Sequence, residues 1–428
     1  MKIKKITLAI LIVIIAGVGS LFATGTEEMA TPSAKTEVTT VTFWSLFTGG
    51  DGEFFDAMVD EFNATHTDIQ MKTDTVKHES YYTKLTAALV ADNAPDMIVC
   101  HQARLRNYIL GGQLLPLDKY LEEINAPMDD FIDAPLNACM YEGKIYALPL
   151  DVHPIIMFAN KDLLAEAGIA ELPTTMDELI ADAKAVQEKT GAMGIACDNT
   201  TAVYKAYTLS RLFFSMMYQQ GGQMLTDDYS AAAFNNEKGV KALQALVDMV
   251  NKNKVTPAGL DYDTSVNSFK LGEAAFHFNG VWATGTFNGA EGLNFDAVPL
   301  PGLLGKPAAW GGSHTLAIPA VEAKDPEQLK SILKCILWIT EHGEMWAKAG
   351  QIPTRKSVQA SDAFKALPYL SGYAASAEST VAPPSTPAWS EIYGTLSDKL
   401  EWAVAKNLDP KQALDDIEKT VNKIIETY

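Results

Sequence analysis

The chain has little cysteine. Its 428 residues hold four, Cys100, Cys139, Cys197 and Cys335, and no two show C-x-x-C spacing. No histidine stands at a ligand interval from any of them and the seven histidines are scattered, so the sequence indicates no metal centre and no cofactor. Buried free thiols are the expectation, with one disulfide as an open alternative: Cys100 ends an apolar run and Cys335 lies in a helical apolar pattern. Cations are also scarce, 34 Lys and Arg against 53 Asp and Glu, for a net charge of −19. Such an excess disfavours nucleic acid, anionic membranes and anionic ligands as partners. Beyond the amino terminus no apolar run is long enough to span a bilayer. There is no G-x-S-x-G, H-E-x-x-H, P-loop or Rossmann fingerprint, and no internal repeat, so no enzyme signature is present.

What is there begins with Lys2, Lys4 and Lys5, an apolar run over 6–18, and Ser20-Leu21-Phe22-Ala23. These are the three regions of a secretory signal peptide, expected to span 1–23. No cysteine follows the run, so release as an unacylated periplasmic protein is expected. Residues 24–37, rich in Thr, Glu, Ser, Ala and Pro, fit a flexible leader. Loss of 1–23 with its three lysines takes the charge from −19 to −22. The remaining length and a 47% hydrophobic content suit two or three domains with large cores.

Residues 38–112 alternate strand and helix patterns three times, which predicts parallel strands with helices on both faces. In such sheets ligands bind at the carboxyl ends of strands. Trp44, Ser45, the turn Gly49-Gly50-Asp51 and His101 fall at those ends. A polar corner follows, where the strand pattern 145–150 meets Asp151, His153 and a second apolar run over 155–158. Pro149 and Pro154 restrict the backbone there and mark a place where the chain leaves one sheet for another. Asn160 is an N-cap type residue opening a helix, and Thr175 with Glu178 forms a capping-box signature.

Gly143-Lys144-Ile145-Tyr146-Ala147-Leu148-Pro149 before the corner and Phe158-Ala159-Asn160-Lys161-Asp162-Leu163 after it resemble the first interlobe crossing of the bacterial family 1 extracellular solute-binding proteins. These are the carbohydrate-binding subunits of ABC importers, the maltodextrin-binding proteins among them. Gly272 to Trp282 resembles the family's G-x-A-A-M-x-x-x-G-x-W strand, with Phe276 in place of methionine. Pro299-Leu300-Pro301 followed by Gly311-Gly312 resembles the second crossing, and Gly350-Gln351-Ile352-Pro353-Thr354-Arg355 the third. Asp409-Pro410-Lys411-Gln412-Ala413-Leu414 resembles a closing S-P-x-x-A-L motif, so the likeness runs over 38–428.

The resemblance implies an α/β, two-lobed periplasmic binding protein fold, each lobe a mainly parallel sheet flanked by helices, joined by three crossings. It implies an amino-terminal lobe of 38–150 plus 314–350 and a carboxyl-terminal lobe of 154–312 plus 356–428. It further implies a monomer, not an enzyme, that closes by hinge motion on a neutral sugar or oligosaccharide and delivers it to ABC permease membrane subunits. Trp44, Ser45, Asp51, His101, Asp151, His153, Trp282, Trp310, Gly312, Arg355 and Trp389 are the expected ligand-binding residues: aromatic faces for sugar C–H surfaces, polar groups for hydroxyls. Two alternatives are a secreted glycoside hydrolase using Asp51 and Asp151, and a polyamine-binding protein of the same fold.

Overall fold

The computed structural model describes residues 38–48, 50–200, 207–320 and 325–428. The expected signal peptide 1–23, the leader 24–37 and Gly49 lie outside the described residues.

β1 (Thr39–Ser45) alternates as its sequence requires, burying Val41, Phe43 and Ser45, and pairs in parallel with β2 (Ile69–Thr75) and β3 (Met97–His101). Helix Gly52–Thr65 turns Phe55, Met58, Val59 and Phe62 inward at helical spacing, and Phe55 packs on Phe43 of β1. A hairpin of β4 (Met140–Tyr141) and β5 (Lys144–Ile145) turns through Glu142 and Gly143, both at positive φ. β6 (Ala147–Pro149) then joins the first sheet, and after Leu150 alone β7 (Asp151–Asn160) joins the second. The second sheet also takes β8 (Met193–Ala196), β9 (Ala274–Gly280), β10 (Phe295–Pro299) and β11 (Ala309–Gly312). β12 (His314–Ala317) returns to the first sheet, while β13 (Ile352–Pro353) and β14 (Thr380–Val381) belong to the second.

Among the described residues the first sheet runs β2-β1-β3-β12-β6 and the second β14-β11-β7-β9-β8, with β10 and β13 also on β7. The expected parallel pairing holds for β1 with β2 and β3, for β8 with β9 and for β11 with β14. Strands that arrive from the other lobe run antiparallel: β12 against β3 and β6, and β7 against β9, β10, β11 and β13. The reason is geometric. A crossing strand enters its new sheet at the edge where the resident strands end, so it runs the opposite way and both sheets become mixed.

Each sheet has its own apolar core, around Phe43, Phe62, Tyr81 and Ile332 in the first lobe and Phe213, Phe234, Leu243 and Leu396 in the second. The expected caps form: Asn160 accepts from the N–H groups of Asp162 and Leu163, and Thr175 with Glu178 makes a complete capping box. Two elements differ from expectation. The strand read at 155–158 is longer, all ten residues of β7 being buried, and it accommodates Pro154 because Gly311 opposite has no side chain; a Cβ there would lie 3.1 Å from Pro154 Cα. The penultimate helix starts at Trp389, so this residue, expected to face a ligand, stands in a packed first turn. All four cysteines are buried and free, burial pushing the Cys100 and Cys335 thiols up to about 12.

Candidate functional site

The crossings knot together at Asp151, the first residue of β7 and wholly buried. One carboxylate oxygen accepts from His153 Nδ1 at 2.9 Å and from the His314 backbone N–H at 3.0 Å. The other accepts from His314 Nδ1 at 2.7 Å and Trp346 Nε1 at 2.7 Å. The Leu150 N–H donates back to the His314 carbonyl, closing the first crossing onto the second. Burial alone would raise the Asp151 pKa, but His314 and His153, by charge and hydrogen bonding, hold the carboxyl far below the usual range. A carboxylate has about four acceptor positions. All are filled here by protein donors, which corrects the expectation that Asp151 reads ligand hydroxyls: it orients the groups around it.

His153 is driven down to about 4, first by burial and then by His314, against the pull of Asp151, so its ring is neutral at neutral pH. Its ring centroid lies 4.3 Å from that of His314 and 5.8 Å from that of His101, and His101 lies 4.8 Å from His314. His101 ends β3, opposite His314 in the antiparallel register, and the Tyr82 hydroxyl contacts its Nδ1 and accepts its backbone N–H at 2.9 Å. Histidines that are scattered in sequence thus meet where the crossings do.

Aromatic residues flank this cluster. Trp282 and Trp310 lie 5.8 and 6.2 Å from the His153 ring. The Arg211 guanidinium stands over both indoles, 4.9 Å from Trp282 and 4.4 Å from Trp310. Trp282 donates from Nε1 to the Tyr262 hydroxyl at 3.1 Å and folds back over Gly280, where any Cβ would overlap its ring. Gly312 is equally required, since a Cβ would sit 2.5 Å from His153 Nε2. From the first lobe, Phe47 packs on His314 and Trp346.

The structure therefore brings together His101, Asp151, His153, Trp282, Trp310 and Gly312 of the expected set. Trp44, half-buried at the end of β1, lies under Lys84 at 4.0 Å, and Ser45 bonds Thr75 across the sheet at 3.1 Å. Asp51 precedes helix Gly52–Thr65 without giving it a side-chain cap, and beside it Gly50 meets Thr286 of the other lobe. Two expected residues stand apart. Arg355 is 1% exposed, and its guanidinium serves Thr340, Asp130 and the Phe131 ring. Trp389 is 4% exposed and held edge-on by Phe214. Sequence reasoning missed His314, Trp346, Arg211 and Tyr262. A lone cation inside the aromatic and methionine-rich helix Tyr207–Gln219 was a readable signal for Arg211; the other three had none. A cavity of about 1040 Å³ lies elsewhere, between helices Met176–Thr190 and Glu237–Val247, and no crossing residue lines it.

Two mixed sheets that exchange strands through three crossings, with aromatic side chains gathered at the exchange, define a two-lobed, hinge-jointed binding protein. The chain belongs to the bacterial extracellular solute-binding protein family, whose model matches residues 48–343. It is similar to the arabinooligosaccharide-binding protein of Bacillus subtilis, 27% identical with 85% of this chain and 83% of that one covered. It is also similar to the maltotriose-binding protein of Pyrococcus abyssi, 24% identical with 93% and 82% covered. Among solved structures it resembles the cyclic alpha-maltosyl-1,6-maltose binding protein from Arthrobacter globiformis, with a TM-score of 0.76, 26% identity, and 91% and 100% covered. Among the described residues no helix is long and apolar enough to cross a membrane.

Proposed function

We propose that the chain is the substrate-binding component of an ABC importer, capturing a neutral sugar or oligosaccharide between lobes 38–150 plus 314–350 and 154–312 plus 356–428. The single observation that carries the ligand class is Trp282, half-buried beside the crossings, with the buried Trp310 grouped at the same His153 ring. Indole faces suit the flat C–H surfaces of sugar rings, and neighbouring polar groups suit their hydroxyls. Relatives named for arabinooligosaccharide and maltotriose binding support the same class. The loaded protein, a periplasmic monomer after loss of 1–23, hands its sugar to permease membrane subunits.

It binds without transforming. A hydrolase using Asp151 as acid would need a raised pKa, and this carboxyl is held the other way. A polyamine is disfavoured because the positive charge of Arg211, beside both indoles, repels a second cation there. The test is thermal-shift screening against mono- and oligosaccharides, polyamines and sugar phosphates. A ligand that binds only the folded form raises the melting temperature. Neutral sugars are expected to do so and to be recovered intact after long incubation; a response confined to polyamines, or consumption of the sugar, refutes the reading.

A further inference from the structure

We infer that His101, His153 and His314 form a binding site for one divalent transition-metal ion of the zinc class, held by imidazole nitrogens where the two sheets meet. One ring nitrogen from each residue can be chosen so that all three lie within 4.8 Å of one another. Tetrahedral zinc with bonds of about 2.0–2.1 Å needs nitrogens roughly 3.3 Å apart, so ring movements on the order of 1 Å complete the site. Donor type selects the ion: imidazole suits zinc, copper and nickel, whereas calcium and magnesium require oxygen donors.

The surrounding hydrogen bonds fit the same chemistry. A carboxylate only accepts, so the Nδ1 atoms of His153 and His314 that touch Asp151 carry the hydrogen, which leaves Nε2 of each ring as the nitrogen for an ion. A carboxylate behind a histidine is the arrangement that fixes the tautomer of metal ligands and raises their basicity. Asp151 does this for two rings, and the Tyr82 hydroxyl contacts Nδ1 of the third. A cation accepts from all three together.

The location adds a consequence. His101 and His314 belong to strands of the first sheet and His153 to β7 of the second, so a single ion ties the sheets across the crossings. Occupancy stabilises the hinge region and raises the melting temperature in the absence of sugar.

The full-length protein, stripped with a chelator, is titrated with zinc chloride by calorimetry and with cobalt(II) by visible absorption, and melted with and without zinc. Expected are one ion per chain, a higher melting temperature and the visible bands of a tetrahedral cobalt site. His101→Gln and His314→Gln are each expected to weaken binding roughly tenfold or more; His101→Gln melts like the parent in chelator, whereas His314→Gln also removes a buried donor to Asp151 and melts lower. His101 is partly exposed, so its variant keeps the fold even where His314→Gln does not. A double His66→Gln, His342→Gln variant removes histidines stacked on Phe62 and Trp338 and is expected to bind as the parent does. No zinc binding, binding undiminished in His101→Gln, or binding lost in the double variant overturns the inference.

Discussion

At the scale of single residues, two tryptophans expected at the site stand in opposite surroundings. Trp282 is half-buried with its N–H on Tyr262 and its ring beside His153, whereas Trp389 is 4% exposed among Phe214 and Tyr393. Trp282→Ala is expected to cost about 1–3 kcal/mol of sugar affinity with a small change in melting temperature. Trp389→Ala is expected to leave affinity intact and lose about 3–5 kcal/mol of stability, the scale for emptying a buried aromatic site. Calorimetry and thermal melting on the two variants check this. Arg355 has a third role: with Ser357 it binds Asp130, whose pKa burial would raise but which the Ser357 hydroxyl and backbone N–H and the Arg355 charge together lower. A lowered folded pKa contributes stability above the unfolded value of about 3.9 and loses it as pH falls through the folded value. Asp130→Asn should therefore melt below the parent at neutral pH, and the gap should narrow in melts taken progressively below about pH 4.

At the scale of elements, the crossings depend on glycine in a way that backbone geometry makes quantitative. Gly350 opens the third crossing at φ +106, and a Cβ there would lie 2.1 Å from the Val281 carbonyl oxygen. Any side chain meets both a strained conformation, about 1–3 kcal/mol, and a backbone clash. Gly350→Ala is expected to lower the melting temperature by several degrees and to weaken sugar binding, because Val281 leads directly into Trp282. A melting temperature equal to the parent's would refute this account of the crossing. The motif around Gly350 was legible because glycine and proline leave marks that one sequence shows. The length of β7 was not legible: ten buried residues show no alternation, and Pro154, which reads as a break, is absorbed by Gly311 opposite it.

At the scale of the whole molecule, the lobes meet beyond the crossings at Gly50 with Thr286, at Phe54 with Gly285, and where Ala103 of the first lobe packs on the core of the second. A ligand that engages both lobes shifts the hinge by its differential affinity for the closed form. Cognate sugar is expected to lower the radius of gyration in small-angle scattering, and Trp282→Ala is expected to need more sugar for the same change. A radius independent of sugar would remove hinge closure from the mechanism.

The sequence by itself determined the fold and family, because the βαβ alternation, the proline corner after Pro149, the paired glycines at 311 and 312 and the capping residues at 160 and 175 are all local signals. Each acts over a few bonds, so each can be read where it stands. Only the tertiary structure decided where the expected site residues stand and what they touch. The Asp151 carboxylate is saturated by protein donors because Trp346 and His314, far along the chain, supply three of them. His101 and His314 became neighbours through the pairing of β3 with β12, and His153 joined them through the crossing into β7. Their meeting depends on strand order and register, which are set by the packing of whole lobes.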